Sequence, residues 1–269
     1  MSISPLAYIH KDAKIGDNVT IDPFAVIHSE VSIGDETHIM SHAVIMNGSN
    51  IGKNCSIYPG AVIGAIPQDL KFVGEKTTVE IGDGTTIREC ATVNRGTKDK
   101  WKTVLGKNCL IMGYAHIAHD CILGNNVILA NAVQLAGHVE IGNYAIMSGL
   151  SGAVQFTRIG AHTYVAGHTV VRKDVPPYVK AAREPMSFAG INTVGLQRSK
   201  FSTEKIHEIT DIYKIFFIEK NTTTSALEKV EALFAPSTER DSIVAFIKSS
   251  KTGIIKRPPK TASDDDNLL

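Results

Sequence analysis

Six residues define the chemistry this chain could perform: His116, His119, Asp120, Gly137, His138 and Gln155. A histidine titrates near neutral pH, so it can take the proton from a hydroxyl that is attacking a carbonyl. A neighbouring carboxylate fixes the imidazole tautomer and stabilises the imidazolium that forms. A glycine N–H can approach a developing oxyanion with no Cβ in the way. The set suits base-catalysed acyl transfer. Three histidines can equally hold zinc, and histidines on an outer surface can simply be solvated; spacing leaves both readings open.

A covalent route has weaker support. Cys55, Cys109 and Cys121 fall on a stripe of small residues that reads as core, and Cys90 has no adjacent histidine. Gly149-Leu150-Ser151-Gly152 only superficially resembles a nucleophile elbow, and Ser151 lies on the same inward stripe.

What could bring His119, Gly137 and Gln155 together is a period of six. Aliphatic residues recur at Ile9, Ile15, Ile21 and onward to Ile63, then at Ile81, Ile87 and Val93, then from Leu105 to Val171. Two residues before each stands a small or β-branched one, such as Ala25, Ala43, Ala61, Ala115 and Val133, and glycine often follows the aliphatic. This period fits neither an amphipathic helix nor a hairpin meander. It fits a triangular prism in which each hexad supplies one short strand and one corner. The expected fold is mainly β: a left-handed parallel β-helix of 18-residue coils, followed by a C-terminal α-helical domain. Residues 18 apart then stack, so His119 lies under Gly137 and Gly137 under Gln155, while Asp120 lies under His138.

The expected β-helix covers residues 1–188, with projecting loops at 65–78 and 94–103 where charged and turn residues replace the hexads. After Pro176-Pro177 the apolar spacing becomes helical, through Ile206, Ile209, Tyr213 and Phe216 to Ile243 and Ile247. A helical domain is therefore expected over 189–256, with Ser202, Ser225 and Thr238 as N-caps, and a disordered tail over 257–269. A net charge of +1 gives no general pull toward nucleic acid or membrane. There is no apolar run long enough to span a bilayer and no secretory signal pattern, so a cytoplasmic protein with reduced thiols is expected.

Several motifs carry a family resemblance: Gln68-Asp69-Leu70-Lys71, Ala115-His116-Ile117-Ala118-His119-Asp120-Cys121, Leu135-Ala136-Gly137-His138-Val139, Asp174-Val175-Pro176-Pro177-Tyr178-Val179, and Asn192 followed by Gly195-Leu196 and Arg198. Across nearly its whole length the chain resembles the acyl-carrier-protein–UDP-N-acetylglucosamine O-acyltransferases, which open lipid A biosynthesis. That resemblance implies a homotrimer with active sites between neighbouring prisms, no cofactor and no metal. It implies His119 as general base on the glucosamine 3-hydroxyl, Asp120 as its support and the Gly137 N–H as oxyanion donor to the thioester of an acyl carrier protein. Gln68, Asp69 and Lys71 would contact substrate, and His116, His138 and Gln155 would line the same cleft. Asn192 and Arg198 match nucleotide and phosphate contacts, and Gly167 matches the position that limits acyl-chain length. Val154, Ser199 and Asn94 depart from the family pattern, where histidine, arginine and histidine are common.

Other functions on the same fold are a γ-type zinc carbonic anhydrase, a related hexapeptide N-acyltransferase and a non-catalytic scaffold subunit. The N-acyltransferase carries a uridine-binding domain before its hexads, which here begin at Ile3. Because acyl carrier proteins are acidic, the cations Arg172, Lys173, Lys180, Arg183, Arg198 and Lys200 are the expected docking surface for the donor.

Overall fold

The computed structural model describes residues 2–257. The tail expected over 257–269 therefore lies outside the described residues except for Arg257. From Ser2 to Ile191 the chain winds through strands of two to five residues that join three sheets, one per face of a prism and parallel except for the final pair: an eleven-stranded, a nine-stranded and an eight-stranded face among the described residues. The registers Ile117↔Leu135 and Leu123↔Ile141 show how each coil stacks on the next. This is the left-handed parallel β-helix with C-terminal helices that the hexads imply.

The second residue of most strands points inward. Ile21, Ile27, Ile39, Ile45, Ile57, Ile63, Ile87, Ile111 and Ile117 are fully or almost fully buried, with Ala25, Ala43, Ala61 and Ala115 filling the narrow space beside them. Each buried aliphatic contributes roughly 1.5–3 kcal/mol, so one per hexad supports a fold with few aromatics. Cys55, Cys109 and Cys121 are buried in the same stripe, and burial pushes the Cys121 thiol up to about 12, far from a nucleophile's range.

The corner after the eight-stranded face explains the recurring Gly-Asp and Gly-Asn pairs. A Cβ on Gly34 would lie 2.7 Å from the carbonyl carbon of Gly52 in the coil above, too close for any side chain. The next residue's N–H is taken by a side-chain oxygen one coil higher: Asp17 N to Asp35 Oδ1 at 3.0 Å, and Lys107 N to Asn125 Oδ1 at 2.8 Å.

Both insertions leave from the other important corner, between the nine- and eight-stranded faces. Strands reach Ala65 and resume at Thr78, then reach Asn94 and resume at Lys102. Buried Asn94 ties the two roots together through its Nδ2 to the Ile66 carbonyl at 2.9 Å. The prism ends in an antiparallel pair, Val179–Ala182 with Ser187–Ile191, so the second strand runs across residue 188.

Four helices follow among the described residues: α1 (Thr193–Arg198), α2 (Thr203–Phe217), α3 (Thr223–Leu233) and α4 (Thr238–Lys248). Ser202 caps α2 as expected, but Thr222 caps α3 and Ser237 caps α4, in place of Ser225 and Thr238. In both corrected cases a run of hydroxyl residues offers several caps. The one used has extended backbone and accepts the N–H three residues on. The helices are tied to the prism by Tyr213 Oη donating to the Pro177 carbonyl at 2.7 Å, and by Arg158, whose guanidinium reaches Asp174, Phe246 and Ser249.

Candidate active site

His119 occupies the middle of the corner that follows the strand His116–Ile117, and Asp120 its last position. Asp120 has φ 60°, a left-handed turn that swings its carboxylate back under the histidine ring. Nδ1 of His119 lies 2.8 Å from Asp120 Oδ2. An ionised carboxylate only accepts, so the proton sits on Nδ1 and Nε2 is left with its lone pair, the form a general base needs. Nε2 faces the first insertion, with Asp69 Oδ2 at 4.0 Å.

Asp120 is completely buried. Burial alone would raise its carboxyl, but hydrogen bonds from the Thr97 hydroxyl and from His119 outweigh it, with further bonds from the Thr97 and Lys100 backbone, and hold it below the ordinary carboxylate range. The Thr97 hydroxyl donates at 2.6 Å and the Thr97 N–H at 3.0 Å, both from the second insertion. Neither Thr97 nor Lys100 was marked by sequence reasoning. They lie outside the hexad register, so the arithmetic that stacks the coils does not reach them.

Gly137 sits one coil above His119. A Cβ there would fall 2.5 Å from Cε1 and 2.7 Å from Nε2 of the imidazole. Glycine is therefore what allows the ring to lie over this backbone. Among the described residues the Gly137 N–H donates to no backbone or side-chain acceptor, so beside Nε2 there is a free backbone donor of the kind that stabilises an oxyanion.

From this point an open groove of about 580 Å³ crosses the nine-stranded face, lined by Gln68, His116, His119, Gln134, Gly137, Gly152, Val154, Gln155 and Val170. His116 is pinned by Thr92 Oγ1 at 2.7 Å from its Nδ1, and burial, with the charge of His119, pushes its pKa below the ordinary histidine value. Lys71 is exposed, its N–H accepted by Asp69 Oδ1 at 2.9 Å.

His138 behaves differently from its neighbours. Its ring meets His119 edge-on at 5.1 Å and stacks on Phe156 at 4.5 Å, yet it lines a second cavity of about 460 Å³ on the eight-stranded side, with Asp99, Lys100, Glu140 and Lys251. Nδ1 lies 3.2 Å from Asp99 Oδ2 but out of line for a hydrogen bond. Burial lowers the His138 pKa against the pull of Asp120 and Asp99.

Three expected residues stand apart from the groove within one chain. Asn192 is buried, accepts from Gly195 N and donates to the His162 carbonyl at 2.8 Å, so here it caps α1 and locks it to the prism. Arg198 lies in the last turn of α1. Gly167 lies at the corner after the eleven-stranded face, where a Cβ would approach the Gly149 carbonyl oxygen at 3.0 Å. His119, Asp120 and His138 bring potential ligand atoms within 4.8 Å of one another, which keeps the metal reading geometrically possible.

Comparison with known proteins narrows these possibilities. Residues 174–255 match the family described as UDP-N-acetylglucosamine O-acyltransferase, domain 2, and residues 30–65 and 102–137 match the bacterial transferase hexapeptide. A Myxococcus xanthus protein named acyl-[acyl-carrier-protein]–UDP-N-acetylglucosamine O-acyltransferase is 44% identical over 255 residues, 94% of this chain and 99% of the relative. The crystal structure of a UDP-N-acetylglucosamine acyltransferase from Bacteroides fragilis superposes with a TM-score of 0.93 at 49% identity, covering 94% of this chain and 99% of the other. The Francisella novicida enzyme of the same description gives 0.92 at 40% identity, covering 95% and 94%.

Proposed function

The chain belongs to the acyl-[acyl-carrier-protein]–UDP-N-acetylglucosamine O-acyltransferase family, and from that premise we propose how its own residues carry out the reaction. The donor is an acyl group, a (3R)-3-hydroxyacyl in this reading, held as a thioester on an acyl carrier protein. The acceptor is the glucosamine 3-hydroxyl of UDP-N-acetylglucosamine, and the step is the first of lipid A biosynthesis, in the cytoplasm. The observation that carries the reading is His119, with Nδ1 held on a buried carboxylate and Nε2 free beside the Gly137 N–H.

Nε2 takes the proton of the 3-hydroxyl as its oxygen attacks the thioester carbonyl. The Gly137 N–H donates to the oxyanion. Collapse breaks the carbon–sulfur bond, the thiolate takes the proton back from the imidazolium, and an ester and a free carrier thiol leave. Asp120 stays ionised throughout and stabilises the imidazolium. Gln68, Asp69 and Lys71 hold the sugar from the first insertion, and His116 and Gln155 shape the cleft around it, while His138 packs edge-on against His119 from the neighbouring cavity.

Asn192, Arg198 and Gly167 enter this reading through a homotrimer. The first insertion projects Ile66, Leu70 and Val73 into solvent, and the groove is open on one side. A neighbouring prism would cover these apolar side chains, close the groove and bring Asn192 and Arg198 to the nucleotide diphosphate and Gly167 to the acyl chain. No helix among the described residues is long and apolar enough to cross a membrane.

One preparation tests the reading. It should sediment as a trimer, contain no stoichiometric zinc, and convert UDP-N-acetylglucosamine and a hydroxyacyl carrier protein to the 3-O-acyl product seen by mass spectrometry. His119→Ala should lower kcat at least about a hundredfold with the fold and trimer retained, and with a modest loss of thermal stability because it removes one donor from the buried Asp120 carboxylate. Stoichiometric zinc and carbon dioxide hydration without acyl transfer would replace it with the carbonic anhydrase reading.

A further inference from the structure

On the nine-stranded face the first residue of each strand pair points outward. In register order these residues are Tyr8, Val26, Val44, Val62, Thr92, His116, Gln134, Gly152 and Val170. Gly152 alone has no side chain. It stands directly between Gln134 and Val170, in the floor of the groove that begins at His119 and Gly137.

The backbone does not demand this glycine. Its φ is not positive, and a Cβ would meet only the Gln134 carbonyl oxygen, at 3.3 Å, a contact that needs only a small adjustment. Gly137, in the same groove, could not accept a Cβ without striking the His119 ring at 2.5 Å. Glycine within a strand also loses more backbone freedom on folding than alanine would. What Gly152 supplies is empty space in the groove floor.

The character of the surrounding walls indicates what fills that space. Gln68, His119 and Gln155 gather at the corner end, where a sugar would be held, whereas Ala136, Val154 and Val170 give the stretch around Gly152 apolar walls, with Gln134 and then His116 following Gly152 along the same strand column. Building on the acyl-transfer reading, we propose that Gly152 is a specificity-determining residue for the donor. The missing side chain holds open the passage taken by the methylenes beyond the thioester carbonyl. Gly152 lies on the same chain as the base, unlike Gly167, which the trimer would bring in from a neighbour.

The test compares the native trimer with Gly152→Ala and Gly152→Val on carrier-bound donors of graded chain length. Each methylene barred from apolar contact is worth about fourfold in kcat/KM. The ratio of long- to short-donor kcat/KM should fall about fourfold for alanine and up to about sixtyfold for valine, with the KM for UDP-N-acetylglucosamine unchanged. Sedimentation and thermal unfolding of both variants show whether fold and trimer are retained, and the alanine variant carries the test if valine does not fold. An unchanged ratio, or an equal loss for every donor, would overturn the proposal. Absence of acyl transfer by the unmodified protein would instead overturn the reading on which it rests.

Discussion

Burial works against protonation at His116, His138 and His162, and pushes all three below the ordinary histidine value of 6.5. Above 6.5 these side chains are neutral in both folded and unfolded chains, so they give stability no pH dependence. Between 6.5 and each lower folded value the unfolded chain holds a proton that the folded chain does not, so stability falls as pH falls through that window. Asp120 adds to this only at lower pH: its carboxyl is held down in the fold, and its contribution is lost as pH drops through the carboxylate range. Thermal unfolding of the unmodified protein should therefore show a melting temperature that declines from about pH 7 to about pH 5. His116→Gln should make that decline shallower, because glutamine cannot take up the extra proton in the unfolded state. A decline of equal steepness in the variant would mean that His116 titrates normally in the fold.

The second insertion, residues 95–101, acts on the catalytic pair as an element. Gly96 lets it turn tightly, since a Cβ there would meet Lys102 N at 2.3 Å, and Thr97 and Lys100 then close over the Asp120 carboxylate. Thr97→Val removes one donor from a fully buried charge and preserves the shape. The expected loss is about 1–3 kcal/mol at neutral pH, measured by denaturant unfolding, with a raised Asp120 pKa. A neutral result would show that the backbone donors suffice. This contact also marks the limit of what could be read from residue order alone. The stacking of His119, Gly137 and Gln155 was legible because a coil is 18 residues and the hexads never slip between them. Thr97 is 23 residues from Asp120, across an insertion that breaks the count. The second cavity behind His138 was hidden for a different reason: the residue's positive φ of 64° turns its ring around the corner, which a linear register cannot express. Asn192 could be read as a ligand contact from its motif, but its bonds to Gly195 and His162 depend on where α1 lands on the prism.

Over the whole molecule a net charge of +1 conceals an uneven distribution. Arg172, Lys173, Arg183, Lys256 and Arg257 surround a cavity of about 610 Å³ near the top of the prism, over an apolar floor that includes Val170, Met186 and Ile255. Among the described residues Glu184 is the only carboxylate in that lining, and it is engaged by Arg172 at 2.8 Å. Val170 also lines the reaction groove, so the two spaces adjoin. Arg198, in the last turn of α1, and Lys200, just after it, both expected with this group, are not among the residues that line the cavity. An acidic carrier protein approaching the groove would meet this field first, and steering of that kind weakens as salt shortens the Debye length from about 10 Å at 0.1 M to about 3 Å at 1 M. The KM for the carrier-bound donor should therefore climb steeply with salt across that range, while the KM for the nucleotide sugar, bound at short range, should change far less. Arg183→Glu is the sharper probe, because Lys173 is already occupied with the Thr252 carbonyl at 2.9 Å. It should raise the donor KM at low salt toward the high-salt value and leave the acceptor KM in place. A donor KM that stays flat with salt, or an Arg183→Glu variant that shifts both constants equally, would place carrier docking on another surface of the molecule.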